Sequence, residues 1–267
     1  MAIAISAAVS TSTNPGVDLT VTGLTVTAGF TLTITRAWAG QTGKVRGASS
    51  AIVTGATMVV TDYESPIDGT STTWTITEYN ASGAIVGTAS SSALTVSLAS
   101  VWISDPLAPG AACPIALHAN ALEQVDYSRD GGPSAVIGAA SPVALVGQRH
   151  IASGIDVDIK CPGLADATNA LAVLNTADPV CIRVPAGAAY AVLPSVAYIS
   201  AATVSRSSRT MKYGGTMSVI RWSGDLVRAP AVPVVAPSRT YADLAAASAT
   251  YSGLPTLYTD YLAALRG

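Results

Sequence analysis

Ser141 to Pro185 reads SPVALVGQRH IASGIDVDIK CPGLADATNA LAVLNTADPV CIRVP. Ile155, Val157 and Ile159 alternate with Asp156, Asp158 and Lys160. A period of two puts the apolar side chains on one face and the charged ones on the other, which is a half-buried strand. Val143 to Val146 is a short apolar run before Gly147, consistent with a more fully buried strand. Pro162 and Gly163 stop the second strand. Leu164, Ala167, Leu171 and Leu174 then recur at the spacing of one helix face. Asp178-Pro179 is a turn, because the residue before proline is pushed out of the helical region. Val180 to Val184 follows as a strand. The order is strand, strand, helix, strand, and the stretch contains no motif of chemistry, which points to a structural role.

The composition agrees. Charged residues make up 11% of the 267, under half the usual share, and polar character comes from Ser, Thr and Gly instead. A net charge of −2 gives no basic footprint for nucleic acid. No apolar run has the length of a membrane helix. The N-terminus lacks a positively charged leader region, so no signal peptide is expected. Three cysteines, Cys113, Cys161 and Cys181, suit neither a disulfide framework nor a zinc site. Cys161 and Cys181 stand at strand ends and are candidates for neighbours; buried free thiols are the simpler expectation.

Residues 1 to 98 read as all-β. Val17–Thr22, Leu24–Thr27, Phe30–Arg36, Ile52–Thr54, Met58–Tyr63, Thr73–Tyr79, Ile85–Gly87 and Ala93–Val96 follow at short intervals, broken by Gly, Asp and Asn. Short strands with regular turns over this length predict a β-sandwich of immunoglobulin or fibronectin-III type, without the antibody-type disulfide and with Trp74 as a core aromatic. Trp102–Gly110, with two prolines and a glycine, reads as the junction to a second β domain spanning 99–229. There Tyr190–Ile199, Thr203–Ser208 and the alternating Met217–Trp222 complete the strands. Pro230, Pro233 and Pro237 predict an extended linker that opens a C-terminal arm, residues 230–267. In the arm Thr240-Tyr-Ala-Asp-Leu recurs as Thr250-Tyr-Ser-Gly-Leu, with a looser copy at Tyr258–Leu262. Thr is a good N-cap, and Tyr and Leu three apart share a helix face. Tyr241, Leu244, Tyr251, Leu254, Tyr258 and Leu262 are therefore the expected anchors of short helical turns that dock on a neighbour.

The segments Val45-Arg-Gly, Asp62-Tyr-Glu-Ser-Pro, Trp102-Ile-Ser-Asp-Pro-Leu, Pro142-Val-Ala-Leu-Val-Gly-Gln-Arg, Ile182-Arg-Val-Pro and the Thr-Tyr-Ala-Asp-Leu repeats resemble, in the same order, minor tail proteins of long-tailed phages of actinobacteria. The resemblance covers most of the chain. It implies a distal-tail-like virion protein at the tail tip, made in the host cytoplasm. It also implies a tail-tube-like β domain with one helix that forms a ring around the tail axis, with the sandwich facing outwards. Six copies are the ring order expected, three the alternative. The partners it implies are other copies, the tail tube and other tip proteins, and by extension the host surface. The chain departs from the family pattern where Tyr241, Tyr251 and Tyr258 replace the Trp common in the repeats.

Chemistry finds little footing. His118 and His150 lie in different contexts, no Gly-x-Ser-x-Gly elbow occurs, and no Cys or His has metal-ligand spacing. Asp156 and Asp158, two apart, would share a strand face that is most simply the solvated one. Asp62, Glu64 and Asp68 offer the oxygen ligands that Ca²⁺ takes, or a polar turn whose acids cap backbone N–H groups. Arg149 and Arg183 flank apolar strands and are the expected arginines of a subunit boundary. The expectation is a structural protein with no catalytic residue, no cofactor and no resident metal. A receptor- or carbohydrate-binding module using the sandwich is the alternative; sparse aromatics, 6% of the chain, weigh against it.

Overall fold

The computed structural model describes residues 2–12, 14–119, 121–122, 127, 129–134, 141, 143–149, 152–187, 190, 192–208 and 216–230. The fold is mainly β, with one helix among the described residues. The first part of the chain forms two sheets. β1 (Ala4–Val9), β2 (Val17–Thr22) and β5 (Thr57–Asp62) make a three-stranded antiparallel sheet with β2 in the centre. β3 (Thr31–Trp38), β4 (Gln41–Ile52), β6 (Asp68–Tyr79) and β7 (Ile85–Ser90) make the second in the order β4-β3-β6-β7, and β8 (Leu94–Ser97) pairs with β6 as well. Alternation builds the core between them: Val17, Leu19 and Val21 face Leu32, Ile34, Trp74 and Ile76, all fully buried. The turn from β3 to β4 is two residues long, Ala39 and Gly40, both with positive φ, as the right-handed twist of a tight hairpin requires.

The second part closes on itself. β9 (Val101–Ser104), β10 (Ala112–Leu117), β14 (Ile159–Cys161), β15 (Val180–Arg183), β16 (Val196–Ser208) and β17 (Ser218–Val227) hydrogen-bond in the circuit β17-β14-β10-β9-β15-β16, and β16 pairs back onto β17. This six-stranded barrel has no free edge along the circuit. The short β13 (Ile155–Asp156) adds to β17 outside it. α1 (Leu164–Leu174) packs against the barrel core through Ala167, Ala170, Val173 and Leu174. Gly163 N–H donates to Asp166 Oδ2 at 2.9 Å, fastening the first turn. β11 (Arg129–Ser134) and β12 (Val143–Arg149) form a two-stranded sheet that pairs with no other strand among the described residues.

Several sequence expectations need correction. Leu24–Thr27 alternates like a strand but is not one: Thr25 N–H is held by the Glu78 carboxylate at 2.7 Å rather than by a ladder. Trp102–Gly110 is not a connector. Trp102 to Ser104 is barrel wall, and Asp105–Ala111 is the tight turn into β10, closed by Asp105 N–H to Ala111 carbonyl. The two cores meet with almost nothing between them, because Leu98 packs on the first and Val101 on the second. The helix face is rotated from the expected one, so Leu164 is exposed and Ala170 and Val173 are buried. Asp156 and Asp158 do not share one strand, since the ladder breaks between β13 and β14 where Val157 N–H reaches Trp222 carbonyl; the inward row Ile155, Val157, Ile159 continues through the break. One long strand, β16, replaces the two expected between 190 and 208, with its bulge between Ser200 and Thr203. The arm from 231 onward, with Tyr241, Leu244, Tyr251, Leu254, Tyr258 and Leu262, lies outside the described residues.

Candidate functional site

Arg36 occupies an inward position of β3, in the same row as Leu32, Ile34 and Trp38. A guanidinium there is cut off from water and must be answered by an anion. Asp62, the last residue of β5, supplies it: Arg36 Nη1 donates to Asp62 Oδ1 at 2.7 Å. Register places Trp74 of β6 opposite Arg36, and Trp74 Nε1 donates to Asp62 Oδ2 at 2.9 Å. Glu64 N–H donates to Asp62 Oδ1 at 3.1 Å, so the carboxylate is held from three sides. Glu64 lies 3.5 Å from Arg36 Nη2 and accepts from Arg46 Nε at 2.7 Å. Arg46, on β4, also donates from Nη1 to Pro230 carbonyl at 2.6 Å, just beyond the end of the last barrel strand. The Arg36 guanidinium lies 5.0 Å from the Trp38 ring centroid.

The barrel answers with β15, buried on both faces. Val180 and Ile182 point into the barrel core; Cys181 and Arg183 point the other way, towards the first part of the chain. Arg183 is fully buried and donates from Nη1 to Pro15 carbonyl at 2.7 Å and from Nη2 to Asn14 Oδ1 at 3.1 Å. The Asn14 amide in turn donates to Pro109 carbonyl, in the β9–β10 turn. Cys181, Val196 and Tyr198 form a small apolar cluster beside these charges. Trp102 leans from β9 onto the first core. The hydrogen bonds that cross between the two cores are thus those of Arg183, Arg46 and Asn14, while Arg36, Asp62 and Glu64 form a buried charge cluster on the first side of the boundary.

Electrostatics follow from this enclosure. Burial opposes the charge on Arg36, but Asp62, then Tyr198 and Glu64, outweigh it and raise its pKa. Arg183 has no carboxylate in contact, and burial lowers its pKa. Burial pushes the Cys181 thiol up to about 12, with Glu64 adding to the rise, and raises the Tyr198 phenol in the same way. Neither group is poised as a base or nucleophile near neutral pH.

Two clefts flank the cluster. One, of about 180 Å³, lies between Tyr63 and Val60 on one side and Pro106 and Pro109 on the other. The larger, about 670 Å³, runs between β4 and the ends of β16 and β17, with Thr42, Lys44 and Arg46 on one wall and Tyr198, Arg228 and Pro230 on the other.

Comparison with known protein families, with curated proteins and with solved structures finds no match to this chain.

Of the residues expected to matter, Arg183 sits at a boundary between two cores of its own chain, where its Nη1 and Nη2 are taken by Pro15 carbonyl and Asn14 Oδ1. Arg149 ends β12, and its side chain lies outside the described residues, as does His150. Asp62 and Glu64 are committed to arginines, and Asp68 starts β6 with its Oδ1 accepting from Thr70 N–H at 2.9 Å. These three acids do not converge, and no cluster of His, Cys, Asp or Glu suited to a metal occurs among the described residues. Cys161 and Cys181 are not neighbours: Cys161 belongs to the barrel core with Cys113, while Cys181 faces outwards from it. All three thiols are free and buried. Arg36, Arg46 and Asn14 escaped the sequence reading. Arg36 was recognisable as an arginine in the inward row of an alternating strand; Arg46 and Asn14 gave no such signal.

Proposed function

We propose that this chain is a structural protein of a phage tail tip, a distal-tail-like subunit that assembles as a closed ring and joins the tail tube to tip components. The observation that carries the reading is the joining of a closed six-stranded barrel, with one helix against it, to a second two-sheet body with no linker, through the hydrogen bonds of Arg183 and Arg46. A subunit that transmits load along an axis benefits from such a junction, since a buried donor that loses its partner costs about 1–3 kcal/mol. We identify the barrel with the tail-tube-like domain implied by the sequence resemblance. The first body we assign to the fibronectin-III type, because β1-β2-β5 against β4-β3-β6-β7 has the strand order A-B-E against C′-C-F-G. The domain division 1–98, 99–229 and 230–267 belongs to the same proposal.

The β11–β12 sheet supports assembly. Two strands alone are marginal in water and need cover, and this sheet pairs with no other strand among the described residues. A neighbouring copy in a cyclic ring supplies that cover, six copies being favoured and three the alternative. Under this reading the chain is not an enzyme, it resides in the virion, and its arm clasps another tail protein or an adjacent subunit. Cutting the chain after Pro230, which keeps the carbonyl that Arg46 holds, is expected to leave the circular dichroism of both β bodies intact and to block incorporation into particles. Incorporation of the shortened chain at the level of the full one contradicts the clasp.

A further inference from the structure

The larger cleft at the junction is one-sided in charge. Lys44, Arg46 and Arg228 line it above buried Arg36, and Glu64 is the one carboxylate among its lining residues. Glu64 is already engaged by Arg46 at 2.7 Å and Arg36 at 3.5 Å. Lys44 and Arg228 are exposed and have no ion-pair partner among the described residues. Thr42 and Lys44 alternate with Gly43 and buried Val45, so the two project to one side of β4, and Arg46 enters the groove from the bulged stretch that follows. In a chain of net charge −2, a groove with unanswered cations is a local reversal of sign.

The uncharged lining narrows the ligand. Gln41, Thr42 and Ser49 offer hydroxyl and amide groups along the groove. Its two aromatic residues are closed to stacking, since Trp38 is 7% exposed with Arg36 over its ring and Tyr198 is 8% exposed. Val196, Ala229 and Pro230 also line the groove. Single-stranded nucleic acid binds on open rings, and an apolar guest would desolvate the Lys44 and Arg228 charges without answering them. We propose that this groove binds an acidic saccharide, a polyhydroxylated chain whose carboxylate or phosphate groups are taken by Lys44 and Arg228 while Gln41, Thr42 and Ser49 meet its hydroxyls. The inference is independent of the tail-tip reading, because it rests on the lining alone.

Isothermal titration of the full chain with a glucuronate-containing tetrasaccharide, a glycerol phosphate oligomer, inorganic phosphate and neutral maltotetraose tests it. At least one acidic oligomer is expected to bind about tenfold or more tightly than maltotetraose, and to weaken as salt is raised. Which acidic oligomer binds identifies the source of the anion, and inorganic phosphate is expected to compete with it. The double variant Lys44→Glu, Arg228→Glu is expected to lose about tenfold or more with unchanged near-ultraviolet circular dichroism. The milder pair Lys44→Gln, Arg228→Gln gives the same direction of loss should charge reversal disturb folding. Equal binding of the neutral sugar, full binding by both double variants, tighter binding of oligothymidylate, or no binding of either acidic oligomer overturns the proposal.

Discussion

Asp62 is the residue that holds together the buried charges of the first body. It accepts from Arg36, from Trp74 Nε1 and from Glu64 N–H, and it is almost wholly buried. Asp62→Ala leaves the Arg36 guanidinium buried against Glu64 alone, and a loss of about 3–5 kcal/mol is expected in urea unfolding. Trp74→Phe removes the Nε1–H and part of the buried ring system but leaves the Arg36–Asp62 pair in place, so a smaller loss of about 1–3 kcal/mol is expected. An equal cost for the two would mean that packing, rather than the charge, dominates the site. Cys181 makes a separate prediction. Its thiol is pushed from the ordinary 9.0 up to about 12, and that of Cys113 up to about 11. A raised folded pKa means that above pH 9 the unfolded chain loses protons the folded chain keeps. The stability from these thiols is complete below pH 9 and is lost as pH rises towards 11 to 12. Denaturation midpoints that fall over that window, and fall less in Cys181→Ala, are the expected result.

At the scale of elements, the barrel seam between β16 and β17 is the sharpest constraint. Gly224 lies against the β16 bulge, where an added Cβ would stand 2.2 Å from Ser200 carbonyl oxygen and 2.8 Å from Ile199 Cγ2. Backbone cannot yield as a side-chain tip does, so Gly224→Ala is expected to destabilise by about 1–3 kcal/mol in thermal or urea unfolding. A neutral substitution would show that the seam is looser than its register. Elements with regular alternation were legible in the sequence: β2, the row Ile155-Val157-Ile159, β15 and the existence of α1 all follow from period. β4 was not, because Gly43 and Gly47 interrupt it and it stays in the sheet by bulged pairing with β3 rather than by an apolar pattern of its own. The helix face was misjudged because alanine and valine, not leucine, fit closest to the barrel. The circuit closing β16 on β17 joins residues far apart in sequence, and no local period carries that information. The same holds for Arg46 and Asn14, whose partners come from Pro230 and from Pro109 and Arg183.

At the scale of the whole molecule, the two cores behave as one unit in this account. Arg183 ties β15 to the β1–β2 connection, Arg46 ties β4 to the chain beyond β17, and Trp102 bridges from the barrel to the first core. A single cooperative unfolding transition is expected in calorimetry, with Asp62→Ala lowering it as a whole. Two separated transitions in the unmutated chain would contradict a rigid junction. Under the proposed function such rigidity suits a subunit that holds its place in an assembly, and the β11–β12 sheet, which pairs with no other strand among the described residues, is where we propose a neighbouring copy completes it. The most direct measurement is cryo-electron microscopy of tail tips that contain this protein, averaged down the tail axis. The account predicts a closed ring, six copies favoured, with the barrels around the axis and the first bodies outside. Isolated copies without cyclic symmetry, or a chain absent from the assembled tip, would contradict it.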